Sequence, residues 1–417
     1  MRIALHTGKG GVGKTTLSVA TAVAAAREGR RTLILSTDPA HSVADVLGAP
    51  VAADPTPVAD VPGLWAAQVD TRRRVEESWA GIRQYLVGML AAGGMAEVQA
   101  EELTVLPGAE EMVALLELRR HAESAEFDVI VVDCAPSGET LRLLALPETV
   151  QFYASRLLRG PNRLLRGLAA GLAGLSGGPT PPTQVRDAVA DLLTDLGRAR
   201  DLLADPTVTG IRIVLTPERV VVAEGRRLLT ALALHGFPVE RVLVNRVLPD
   251  AADGAFVARQ RAGQQTVLAG IAESFPGVPV TVVPTQSGEP VGADALGELA
   301  AAAFGGASVL PPLTATPVLQ VSGSGGEYRL EIALPHVDRA EVGLSRVQDD
   351  LIVTVGDHRR RIALPSLLQR CLTRGARLAD GRLTVEFVAD PQAWPTDLLA
   401  GTTGERRATA ETLAGAS

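Results

Sequence analysis

The chain's two lysines both fall in one glycine-rich stretch, Gly8-Lys9-Gly10-Gly11-Val12-Gly13-Lys14-Thr15. This stretch follows the apolar run RIALHT (2–7) and opens a helical pattern that runs from Lys14 to about Glu28. A loop between a strand and a helix is where such glycines do chemistry, because successive backbone N–H groups can curl round phosphate oxygens. The helix N-terminus adds partial positive charge. Lys14 is then placed to neutralise the β- and γ-phosphates of ATP, and Thr15, with Thr16 beside it, to offer a hydroxyl to Mg²⁺. Every other basic residue in the chain is an arginine, 38 of the 40. A slim ammonium fits between phosphate oxygens and tightly wound backbone, where a broad guanidinium fork does not.

These residues need a scaffold that brings several loop ends to one edge. RIALHT (2–7), TLILS (32–36), LWAAQVD (64–70), FDVIVVD (127–133), IRIVLT (211–216), RVLVNRV (241–247) and PVTVVP (279–284) read as strands. Several are continuous Val/Ile/Leu runs, the pattern of parallel strands covered on both faces. Interleaved with helical patterns, they predict an α/β domain over about residues 1–305. Its fold class is the doubly wound, mostly parallel sheet of P-loop NTPases. In such a sheet a carboxylate at a strand's C-terminal end faces the ligand crevice, which singles out Asp38 and Asp133.

Long helical insertions cover about 72–125 and 150–204. In the second, Leu164, Leu168, Leu172 and Leu175 recur at helical spacing near Arg159, Arg163 and Arg166, with glycines interspersed. Such a stripe serves as ordinary core, as a groove for an apolar partner or as a membrane-surface contact; the sequence leaves the three open. Composition then shifts. Residues 306–317 read as a linker, 318–390 as a small β-sandwich with alternating strands such as YRLEIALP and RLTVEFV, and 391–417 as a polar tail. Turn signals at Asp349-Asp350, Gly356-Asp357 and Asp380-Gly381 separate its strands.

The chain has 417 residues, 46% of them apolar, and a formal charge of -7. That charge argues against a nucleic-acid partner, which would need clustered positive charge. Cys134 and Cys371, with no Cys-x-x-Cys, predict neither a zinc site nor a disulfide framework. No charged leader and no run of about 18 apolar residues is present, so a cytoplasmic protein without permanent membrane insertion is expected.

The loop's second lysine narrows the reading. GKGGxGKT, the deviant Walker A form, resembles that of the ArsA and guided-entry ATPases, and the resemblance covers nearly all of residues 1–305. STDPAHS (36–42) and DCAPSGETLRLL (133–144) look like that family's two switch segments, which assigns switch positions to Pro39, His41, Ser42, Pro136 and Gly138. The resemblance implies that Lys9 reaches the partner's nucleotide across a homodimer. It also implies that Asp38 polarises the attacking water, and that Asp133 joins Thr15 and Asp38 around Mg²⁺. VNRV puts Asn245 at the family's adenine-reading position, and PTQSGEPVG (284–292) resembles its adenine loop, bringing in Pro284 and Thr285. Where the family's second switch usually reads D-T-A-P-T-G-H-T-L-R, this chain has Cys134, Ser137 and Glu139. The second domain resembles the α-crystallin fold of small heat-shock proteins, on Ala376, Asp380, Gly381 and Leu383 among others.

Catalytic roles thus fall to Lys14, Lys9 and Asp38, with ATP and Mg²⁺ as cofactors. The expected function is a dimeric ATPase switch that binds or targets hydrophobic client helices, such as those of tail-anchored membrane proteins. Two alternatives stand beside it: an ATPase driving an arsenite efflux pump, and one positioned on a membrane or partner surface.

Overall fold

The computed structural model describes residues 1–38, 42–69, 109–144, 183–250, 254–313 and 318–394. The chain divides into two compact units, Met1–Gly225 with Val239–Ala315, and Arg226–Pro238 with Thr316–Ser417.

The first unit is built on an eight-stranded sheet of order β3-β4-β2-β5-β1-β6-β7-β8. Its strands are β1 (Arg2–Thr7), β2 (Thr32–Ser36), β3 (Thr56–Pro57), β4 (Leu64–Gln68), β5 (Val129–Asp133), β6 (Thr209–Leu215), β7 (Val239–Val247) and β8 (Val280–Pro284). All neighbours pair in parallel except β3, which runs antiparallel to β4 at the edge. The four central strands β2, β5, β1 and β6 are buried almost throughout, which explains their unbroken apolar runs. Helices α1 (Lys14–Arg27), α2 (Ser42–Leu47), α3 (Ala109–Glu123), α4 (Thr183–Ala204), α5 (Arg219–His235), α6 (Ala255–Ala269) and α7 (Ala293–Phe304) accompany the strands. The leucine stripe at 164–175 lies outside the described residues.

A buried arginine interrupts this apolar core. Arg212, in the middle of β6, has no exposed surface and pairs with Glu240 of β7, which also binds Arg2. The Arg212 guanidinium donates to the Val309 carbonyl and lies 5.7 Å from the centroid of the Phe304 ring. A buried ion has to be paired and hydrogen-bonded in this way to be tolerated.

In the second unit two antiparallel sheets enclose a core. One has the order β14-β15-β10-β9 and the other β11-β12-β13. Their strands are β9 (Leu319–Ser324), β10 (Glu327–Ala333), β11 (Val342–Val347), β12 (Asp350–Val355), β13 (His358–Ala363), β14 (Cys371–Ala379) and β15 (Arg382–Ala389). Leu330, Ile332, Leu351, Val353, Val385 and Phe387 meet between the sheets, as the inward positions of a sandwich should. Leu234, from the last turn of α5, belongs to this same core. The β14–β15 turn uses Asp380 and Gly381 at φ 52° and 66°, the two left-handed positions that tight hairpins favour.

Candidate active site

The loop Gly8–Gly13 leaves the C-terminal end of β1 and ends in a left-handed Gly13 (φ 91°) that opens α1. A side chain at Gly8 would meet the Val214 carbonyl oxygen at 2.1 Å, and one at Gly13 the Asn245 amide nitrogen at 2.4 Å. At these two positions the loop is pressed against β6 and β7, and only glycine fits. The first turn of α1 carries no acidic side chain, so its free N–H groups and partial positive charge stay uncompensated. Lys14 is buried, and its ammonium donates to the Lys9 carbonyl at 3.4 Å.

Adjacent strands bring the acids to the same edge. His6 of β1 and Ser36 of β2 both stand beside Asp133 in the sheet register. The Thr37 amide donates to the Asp133 carbonyl at 3.0 Å, and the Gln68 amide side chain at the end of β4 donates to the Asp38 carbonyl at 2.6 Å. Asp133 itself is fully buried, and neither of its carboxylate oxygens has a hydrogen-bond partner among the described residues. Burial pushes its carboxyl up to about 6, and nearby Asp38 adds to the rise. The Thr15 and Ser18 hydroxyls and the Lys14 charge pull the other way.

A buried carboxylate without partners next to a threonine hydroxyl is an oxygen-donor set that fits a hard divalent cation such as Mg²⁺. The concave backbone, the helix N-terminus and Lys14 fit a polyphosphate. Beside them lies a cleft of about 300 Å³, lined by Thr37, Val69, Ala135, Leu143, Glu139 and Arg142.

The second segment, after β5, is tied to the loop. The Ser137 amide donates to the Gly8 carbonyl at 3.1 Å, and the Thr7 hydroxyl donates to Thr140 at 3.0 Å. Pro136 and Gly138 flank Ser137 here, and Ser42 begins α2; Pro39 and His41 lie outside the described residues.

Asn245 sits at an irregularity of β7, where the register to β8 shifts between Val244 and Val247 and Arg246 takes a positive φ of 58°. That bulge turns the Asn245 amide toward the phosphate loop, where it donates to the Val12 carbonyl at 2.8 Å. Its carbonyl oxygen accepts from the Arg246 amide at 2.9 Å. Pro284 ends β8, and the exposed Thr285 donates its amide to Val247 at 2.8 Å.

Three contributors escaped the sequence reading: Gln68, Thr140 and Glu224. Glu224 of α5 lies 3.6 Å from the Lys9 ammonium and accepts the Ser137 hydroxyl at 3.0 Å. The signal for it was present, a lone acid after the apolar run VVVA and before Gly225 in a helix facing the sheet.

This arrangement has relatives. A family described as anion-transporting ATPases, the ArsA ATPases, matches residues 1–304, and an HSP20-like domain found in ArsA proteins matches residues 325–387. The chain belongs to the ArsA ATPase family. Protein Rv2184c of Mycobacterium tuberculosis is 37% identical to this ArsA-family chain over 421 residues, covering 95% of the chain and 98% of the relative. A Prosthecochloris vibrioformis protein bearing the name arsenical pump-driving ATPase is 33% identical over 395 residues, with 94% and 97% covered. ATPase GET3B of Arabidopsis thaliana is 30% identical over 281 residues, with 63% of this chain and 68% of that protein covered. This chain thus joins an ArsA ATPase unit to an HSP20-like sandwich.

Proposed function

We propose that this ArsA-family protein is a Mg²⁺-dependent ATPase that works as a homodimeric switch for hydrophobic membrane-protein clients. The ATPase part is carried by one observation: the buried, unpartnered Asp133 carboxylate facing the first turn of α1. Lys14 and the loop amides would bind the phosphates, while Thr15, Asp133 and Asp38 would hold a metal ion that would supply positive charge against the negative charge of the phosphate oxygens. Asp38, its carbonyl held by Gln68, orients and polarises the attacking water. Lys9 would act on the partner's nucleotide, as an arginine finger does. Asn245, Pro284 and Thr285 would form the adenine side, with Asn245 also bracing the loop through Val12.

The switch reading draws support from the direct ties between loop and second segment, Ser137 to Gly8 and Thr7 to Thr140. The client reading draws support from the likeness to GET3B and from the HSP20-like domain. Among the described residues no helix is long and apolar enough to cross a membrane. The names of several relatives favour a second reading, the driving of an arsenical pump. Soft metalloid binding wants convergent thiolates. Here Cys134 and Cys371 are both buried, lie in different units, and have thiols that burial pushes up, away from the reactive thiolate form.

A direct test loads the Asp38→Asn variant with ATP and offers a purified protein bearing one C-terminal hydrophobic helix. The expected result is a dimer, by light scattering, that retains this client and not a version with the helix made polar. A monomer with and without ATP, or ATP hydrolysis stimulated by arsenite and lost on Cys134→Ser, overturns the proposal.

A further inference from the structure

Glu224 divides its carboxylate between two segments that both adjoin the phosphate loop. One oxygen stands 3.6 Å from the Lys9 ammonium, and the other accepts the Ser137 hydroxyl at 3.0 Å. Ser137 in turn gives its amide to the Gly8 carbonyl at 3.1 Å, so Gly8, Lys9, Glu224 and Ser137 close a ring. The ring has one fixed member. Next to Glu224, Gly225 leaves room for α5 to press on the sheet, since a side chain there would stand 3.1 Å from Phe275 and 3.2 Å from Leu215. Lys9, by contrast, lies on the loop after β1, and Ser137 begins the helical residues 137–144.

The pair is also built to come apart. The Lys9 and Glu224 side chains are 40% and 29% exposed, and an ion pair so wetted is weak. A polyphosphate in the loop carries several negative charges against the single one of Glu224. Lys9 is one of only two lysines in the chain, and the other, Lys14, is buried at the head of α1.

We infer that Glu224 is a positioning residue that holds Lys9 away from the phosphate site in the nucleotide-free protein. The phosphates, which in the proposed homodimer are those of the nucleotide in the facing subunit, and Glu224 compete for the Lys9 ammonium. Because Ser137 hangs on the same carboxylate, the loss of Lys9 from Glu224 changes the charge at the start of the helical residues 137–144. Occupancy of the loop is thereby registered in the second segment. The inference rests on the reading of the loop as a nucleotide site.

The composition supplies the probe. Protein grown with ¹⁵N- and ¹³C-labelled lysine gives side-chain signals from two residues alone, assigned with the Lys9→Arg variant. In the nucleotide-free protein, Glu224→Gln should shift the Lys9 signal and leave that of Lys14 in place, which also reports an intact fold. ATP added to wild type should move the Lys9 signal in the same direction. By titration calorimetry, Glu224→Gln should tighten ATP binding by about threefold to fivefold, the range of an exposed ion pair. In a Lys9→Gln background the same change should do almost nothing. A Lys9 signal indifferent to Glu224→Gln, or an equal gain in both backgrounds, overturns the inference. Absence of ATP binding by wild type would instead refute the nucleotide site itself, while the nucleotide-free spectra would still report on the pair.

Discussion

At the scale of single residues, the site consists of groups whose burial would be unfavourable without a ligand or a specific partner. Asp133 is one, and Gly8 and Gly13 are the backbone counterpart, positions where close approach leaves no volume for a side chain. His6 is a third, buried beneath the site in β1, its ring 3.3 Å from the Thr21 hydroxyl. Burial, reinforced by the charge of Arg212, holds its imidazole well below the usual 6.5. The sign follows from which state takes the proton. Below about pH 6.5 the unfolded chain protonates His6 and the folded chain refuses, so His6 lowers stability as pH falls, down to its depressed folded value. Urea unfolding between pH 7 and 5 should therefore show a loss of up to about 1.4 kcal/mol per pH unit from this group. In a His6→Asn variant that component of the slope should vanish, whatever the variant's absolute stability. Most site residues were legible in the sequence because they share one short motif or end an apolar strand. Glu224 and Gln68 were not, because they act through contacts distant in the chain that no local spacing encodes.

At the scale of elements, the sequence reads well wherever one physical pattern dominates. The TLILS and RIALHT runs coincide with β2 and β1 because both faces of these strands are covered, so even their polar end residues are almost all buried. The sandwich edges read poorly. β9 is largely exposed and β11 alternates with open positions, so little apolar pattern marks either strand. In β13, HRRRIA, Arg360 is a buried position despite its charge. The bulge in β7 is another device that composition hides, since nothing in VLVNRV announces that Arg246 adopts a positive φ. Its consequence is testable. Asn245→Asp keeps the shape but cannot donate to the Val12 carbonyl, leaving a buried acceptor without its donor at a cost of about 1–3 kcal/mol. Calorimetric titration should show ATP affinity falling by at least tenfold, more than for Asn245→Ala, where no new charge opposes the carbonyl. Equal affinity in Asn245→Asp and wild type would remove the amide from the loop's support.

At the scale of the molecule, the chain's path matters more than its sequence blocks suggest. The compact C-terminal unit takes in Arg226–Pro238 besides Thr316–Ser417. Leu234 supplies apolar surface to the sandwich core, and Arg360 donates to the Leu234 carbonyl at 2.6 Å, close against Gly236 at φ 84°. An amphipathic helix advertises an apolar face but not which core will receive it, so this membership could not be read in advance. Removing the donor with Arg360→Met should speed hydrogen exchange of the protected amides in residues 318–389 by about tenfold or more, the equivalent of one lost bond to a buried carbonyl. Exchange unchanged from wild type would show that Arg360 contributes nothing to that unit.

The most direct test of the central claim, that the loop and the two acids form one hydrolytic site, is Mg²⁺-dependent ATP turnover in Asp38→Asn beside wild type, with ATP binding measured on the same samples. The account predicts that the variant still binds ATP while its turnover falls by about 10²–10³. Turnover at the wild-type rate in Asp38→Asn, or wild-type protein that binds ATP yet hydrolyses none with Mg²⁺ present, would contradict it.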